Sequence, residues 1–271
     1  MKFWTVIFVL FLTACSGRTI SKTTVPLISA SIPAPTSLAD LTAIATQAPI
    51  STLSVAESNE LIKELILRNG GCRLPCFWGI TPGITEWSEA KNFLATFAEI
   101  REGKFYSIKI QDPEYHQVNL IEFTVQDGIV VEVVAGLPIT RNFTIDKLLT
   151  NYGKPDGIYL LTYKNSPASP IPAFLALNYQ HQGILVEYEF ASEKINDNEF
   201  LICSQPLGPN MWLRSSQETL TDLDINQSVL GAEPSYTLRK IDEISNISID
   251  EFFNDFKGSS ACFITPINVW P

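Results

Sequence analysis

Hydrophobic positions along this chain change their period several times, and each change marks an element. A largely apolar run over residues 3–12 follows the single charge of Lys2. It is too short to cross a bilayer, which takes about 20 apolar residues, and has the length of the hydrophobic segment of a signal peptide. From residue 16 to about 53 regular spacing disappears. Ser, Thr, Ala and Pro dominate there, and Arg18, Lys22 and Asp40 are the only charges. Such a segment cannot repay its chain entropy by burial. Prolines 26, 33, 35 and 49 stiffen it locally, so it is expected to be an extended stalk.

Periodic patterning starts at residue 54. Ser54 and Glu57 form a capping-box signature, and Leu61, Ile62, Leu65 and Ile66 follow as one helical stripe that Gly70-Gly71 stops. After a stretch dense in turn formers, a second helix is expected from about Thr85, with Trp87, Ala90, Leu94, Phe97 and Ala98 on one face. The period then shortens to two over residues 105–110. Residues 118–125 and 129–134 flank Gln126-Asp127-Gly128 as a hairpin. A third helix begins at Thr144, carries Ile145, Leu148, Leu149 and Tyr152, and ends at Gly153 before Pro155. Strands are expected over 158–163 and 174–179, the latter turning at His181-Gln182-Gly183 into 184–190. Further on, residues 200–203 read as a strand and the surroundings of Met211-Trp212-Leu213 as a Pro/Gly loop. A short helix capped by Ser248 and Glu251 presents Phe252, Phe253 and Phe256 and stops at Gly258.

Gly128-Ile129-Val130-Val131-Glu132 reappears as Gly183-Ile184-Leu185-Val186-Glu187, each time after a helix and a loop. Glycine followed by aliphatics is also what any hairpin turn produces. The expected fold is α+β: one antiparallel sheet with helices on one face, built from a duplicated helix-plus-hairpin module over 79–136 and 137–190. The extension 191–271 is expected to pack on the same folded domain, 54–271.

Five cysteines bear on compartment and chemistry. Leu12-Thr13-Ala14-Cys15, with polar Ser16-Gly17 after it, resembles the lipobox of bacterial lipoproteins. That resemblance implies a signal peptide over residues 1–14, cleavage before Cys15, diacylglycerol on its sulfur and a lipid-anchored stalk over 15–53. Two or more acyl chains anchor stably where one binds only marginally. Cys72, Cys76, Cys203 and Cys262 remain, an even number that suits two disulfides in an exported chain. Three pairings exist. The preferred one is Cys72–Cys76, closing a tight loop, with Cys203–Cys262 clipping together the C-terminal region. A structural zinc site needs four ligands, and His116 and His181 are not near enough to the cysteines in sequence to supply a motif, so no metal is expected. The three-residue spacing of Cys72 and Cys76 also departs from the redox-active two-residue motif.

The segment Cys72-Arg73-Leu74-Pro75-Cys76-Phe77-Trp78-Gly79-Ile80-Thr81-Pro82-Gly83, with Trp87 and Glu89-Ala90 after it, resembles uncharacterised bacterial lipoproteins that carry such a stretch before a helix. Tyr152-Gly153-Lys154-Pro155-Asp156 and the late Cys262 resemble the same group, which brings no activity with it. Element order alone is similar to that of small outer-membrane-assembly lipoproteins and of the β-lactamase-inhibitor-protein fold, which work by binding other proteins.

Charge and motif content narrow the chemistry. Against 29 acidic residues stand 19 basic ones, a balance that disfavours nucleic acid and also disfavours peripheral binding to anionic lipid headgroups. No nucleotide-loop pattern occurs, so no cofactor is expected. His116 and His181 fall near turns, with no nucleophile elbow to serve. Glu122, Glu132, Glu187 and Glu189 occupy alternating strand positions and read as solvent-facing. Phe77, Trp78 and Trp87 are the candidate binding residues, able to stack a sugar or anchor a partner, and equally able to form core beside a disulfide. The expectation is a non-enzymatic, lipid-anchored, extracytoplasmic module that binds an envelope protein. The alternative is an envelope hydrolase or carbohydrate-binding protein using acidic strand residues around an aromatic cleft.

Overall fold

A computed structural model describes residues 52–111, 118–137, 143–162, 171–203, 208–216, 239–245, 247–258 and 261–266. All of them belong to the unit Ala48–Pro271. The stalk, Cys15 and His116 lie outside the described residues.

Helix α1, Val55–Arg68, starts where the capping box places it. Ser54 Oγ accepts from the Glu57 N–H, and the Ser54 N–H donates back to the Glu57 carboxylate at 2.9 Å. It buries Ile62, Leu65 and Ile66. Helix α2, Trp87–Leu94, starts two residues later than its pattern suggests. The backbone before it is held in extended form against the next hairpin: Gly83 N–H donates to the Val130 carbonyl, Val130 N–H to Thr85, and Trp87 N–H to Gly128. Phe97 and Ala98 therefore follow the helix, yet still pack on the core.

Strands β1 (Ile100–Glu102), β2 (Tyr106–Gln111), β3 (Val118–Gln126) and β4 (Ile129–Gly136) form a meander. Asp127 and Gly128 turn β3 into β4 with φ of 51° and 80°, the two positive values a type I′ hairpin requires. Helix α3, Ile145–Tyr152, precedes a second meander, β5 (Gly157–Thr162), β6 (Ile171–Tyr179) and β7 (Ile184–Asn196). β7 runs beyond its expected end and turns into β8, Glu199–Cys203.

The segment read as a loop around Trp212 is instead strand β9, Asn210–Arg214, which lies between β4 and β7 and joins the two meanders. Gly183 makes this junction close: a Cβ there would collide with the Arg214 carbonyl, and its own carbonyl accepts from Arg214 N–H at 2.8 Å. The C-terminal region adds β10 (Arg239–Lys240), α4 (Ile241–Ile244), α5 (Ile249–Phe256) and β11 (Cys262–Pro266). β10 borders β5 and β11 borders β8. The fold is α+β, and every strand pair is antiparallel.

Register assigns the two faces. Ile108, Ile121, Ala135, Met211, Val186 and Leu177 share the inner face and are buried. Trp87 of α2 packs on Tyr106 and Phe123 there, and Tyr152 of α3 on Tyr179, so both helices cover the same face. Phe252 and Phe256 of α5 continue that core onto Phe263 of β11. Removing such side chains from water contributes about 1.5–3 kcal/mol apiece. Cys203 and Cys262 face each other in register and are bonded, as are Cys72 and Cys76, the pairing preferred from the sequence.

The two meanders flank β9 in opposite order with their strands running in the same direction. A rotation about β9 that exchanged them would carry α3 to the outer face, where it does not lie. They match only by reflection, so the arrangement does not confirm a duplicated module, although residues 128–132 and 183–187 both start strands beside β9.

Candidate functional site

The end of α1 organises the site. Asn69 adopts the left-handed conformation at φ 54°, which asparagine tolerates better than most residues. Its side chain is buried and fully used: Nδ2 donates to the carbonyls of Cys72 and Cys76 at 3.0 and 2.8 Å, and Oδ1 accepts from Trp78 N–H at 3.0 Å. One amide thus ties α1 to the disulfide loop.

That loop is latched to the last turn of α3. Arg73 donates to the Asn151 carbonyl, and its guanidinium lies over the Tyr152 ring, 5.2 Å from the centroid. The Tyr152 hydroxyl accepts from Leu74 N–H at 2.8 Å, and its ring meets Tyr179 edge-on. A cation at a helix C-terminus also complements the carbonyl dipoles exposed there.

Between α1 and α3 the latch leaves a cleft of about 480 Å³. It is lined by Arg68, Asn69, Cys72 and Arg73 from the end of α1 and the disulfide loop, and by Phe143, Lys147, Thr150, Asn151 and Tyr152 from α3 and the residues before it. Phe143 is tied to β7, because Tyr188 donates its hydroxyl hydrogen to the Phe143 carbonyl at 2.6 Å. Burial pushes that phenol's pKa far above its ordinary value, so it stays a donor.

Among the described residues lining the cleft are three cations and no carboxylate or imidazole. Arg68 makes an exposed contact of 3.4 Å with Glu64, a pair of the kind worth little in water. Arg73 engages a carbonyl and a ring. Lys147 is exposed and has no ion pair among the described residues. In a chain of net charge −10 this is a local reversal of sign.

The candidate residues read from the sequence lie elsewhere or play other parts. Phe77, Trp78 and Trp87 are buried and do not form an aromatic cleft. Phe77 and Ile80 exchange backbone hydrogen bonds across a tight turn that folds the aromatics inward, where Phe77 stacks on Trp78 and Trp78 meets Phe97 edge-on. Cys72 and Cys76 are bonded to each other, and among the described residues no group of three or more His, Cys, Asp or Glu side chains is placed to hold a metal ion.

Glu122, Glu132, Glu187 and Glu189 all point to the outer face of the sheet. Glu132 is half-buried and paired with Arg214 at 2.7 Å. Glu187 corrects the solvent-facing expectation: it is 4% exposed, and desolvation pushes its pKa up to about 7, with Glu189 adding to the rise and a hydrogen bond from Asn210 opposing it. His181 is exposed and near only Asp156, with Nε2 4.0 Å from the carboxylate. The cations of the cleft escaped the sequence reading because Arg68, Arg73 and Lys147 have no motif spacing; the fold assembles them.

No protein-family model, curated protein or solved structure matches the chain. Among the described residues no helix is long and apolar enough to cross a membrane.

Proposed function

We propose that this chain is a lipid-anchored, extracytoplasmic binding module, cut before Cys15 and tethered through it, that recognises a negatively charged partner of the cell envelope through the cleft between α1 and α3. The cleft carries this reading. It has the volume of a small-ligand site, its walls are fixed by the Arg73–Asn151 and Leu74–Tyr152 hydrogen bonds, and its lining combines cations and amides suited to holding an anion. The lipobox resemblance at Cys15 and the two disulfides support the compartment, since disulfides persist where export delivers a protein to oxidising surroundings.

The test is cross-linking on intact cells followed by capture of the tagged chain, comparing the wild type with Arg73→Gln/Lys147→Gln. A stoichiometric envelope component captured by the wild type and lost in the double variant is the expected result. Equal capture by both would refute the cleft as the recognition surface. In the same cells Cys15→Ser should move the chain out of the membrane fraction, and its retention there would refute the anchor.

A further inference from the structure

The geometry points to a phosphate group as the anion that the cleft between α1 and α3 accepts, an inference that rests on reading the chain as a binding module. Two guanidiniums and one ammonium line a single concavity, and Thr150 and Asn151 add neutral donors at its rim. A phosphate monoester carries close to two negative charges and offers three acceptor oxygens at neutral pH. A carboxylate brings one charge and two oxygens, which leaves more of this lining unused. Arg73 is already held by a carbonyl and an aromatic face, so little of its side-chain freedom remains to be lost on binding. Phe143 and Tyr152 supply apolar surface beside the cations, which suits the organic part of an ester better than bare phosphate.

The chemistry has two sources, a soluble phosphate monoester or the phosphomonoester headgroup of a lipid at the surface to which the chain is tethered. Isothermal titration calorimetry of the purified full-length chain separates them, using inorganic phosphate, glycerol 3-phosphate and short-chain phosphatidic acid, with lactate as the carboxylate control. Saturable binding of at least one phosphate ester is expected, weakened roughly tenfold to a hundredfold by Lys147→Gln and by Arg73→Gln, the loss of one charge-assisted contact. Lys109→Gln, an exposed change on the outer face of β2, should leave it unaltered. Preference for glycerol 3-phosphate assigns the soluble source, and equal or tighter binding of the short-chain phosphatidic acid assigns the headgroup. No saturable binding of any phosphate probe, affinity unchanged in both cleft variants, or lactate binding as tightly as the esters would overturn the inference. Lys147 is exposed on α3, so its variant is expected to fold even if Arg73→Gln loosens the latch. Failure here with cross-linked partner capture intact removes only the phosphate assignment; the reverse result removes the partner and leaves this site standing.

Discussion

Glu132 and Arg214 neutralise each other on the outer face of the sheet, half-buried at 2.7 Å, while Arg68, Arg73 and Lys147 gather round a cleft that offers no carboxylate among its described lining. The outer face also holds Glu187, which receives Asn210 where Glu132 receives Arg214. Both partners come from β9, one from each end, so a single strand sets the electrostatics of that face. Glu132 is matched inside the molecule, and desolvation lets Glu187 hold its proton to higher pH than an exposed carboxyl would. Of the cleft's cations, Arg73 is held by a carbonyl and a ring, Arg68 by one exposed contact with Glu64, and Lys147 by no ion pair among the described residues. Charges that fold the protein and charges that serve it are therefore separable by mutation.

The largest effect is expected on the inner face of β9. Leu213 is fully buried on β9, in register with Val133 and Ile184. Leu213→Asp puts an unpaired charge into the core and should cost more than about 4 kcal/mol, enough to abolish cooperative unfolding in urea. A variant that still unfolds cooperatively near the wild-type midpoint would show that β9 does not join the two meanders.

Glu187 should give the next largest effect, and it depends on pH. Its folded pKa of about 7 lies above the ordinary 4.5, so the folded state holds the proton more tightly than the unfolded chain. The stability that Glu187 contributes is fully present below about pH 4.5, falls as pH rises through 7, and is lost above it. The full loss is about 3 kcal/mol for a shift of this size. Glu187→Gln lacks this titration and should be more stable than the wild type at pH 8, with the advantage gone at pH 4. Parallel urea midpoints for the two proteins across that range would contradict the burial of Glu187.

Smaller effects separate the two charge sets. Glu132→Gln leaves a half-buried guanidinium without its carboxylate and should cost about 1–2 kcal/mol. Lys147→Gln should change stability by less than about 0.5 kcal/mol, as exposed substitutions usually do, while weakening ligand binding. If the two variants had equal thermal and urea stability, the division between folding charges and serving charges would fail.

What the sequence made legible had local causes. Two capping boxes, at Ser54 and Ser248, start helices where their spacing says, and Asp127-Gly128 makes its hairpin because few other residues accept two positive φ values. The antiparallel α+β fold followed from period changes; the cysteine count left three pairings open, and the preferred one is the one formed. β9 was missed because Gly208-Pro209 reads as a loop and five residues carry little pattern; its neighbours β4 and β7 make it a strand. The cleft was invisible for a related reason. Arg73 meets Asn151 only because a disulfide loop and the end of α3 pack together, 78 residues apart in sequence. The aromatics of the cysteine segment drew attention first, yet burial makes Phe77 and Trp78 part of the core, and the neighbouring cations face the cleft.

The central claim, that the cleft and not the outer face meets the partner, is tested most directly by a photo-cross-linking amino acid placed at Thr150 or, separately, at Leu120. Thr150 lines the cleft, and Leu120 is exposed on the outer face of β3. Irradiation of intact cells should give one discrete adduct from position 150 and none from position 120. An adduct from 120 with none from 150 would contradict the account and move recognition to the sheet.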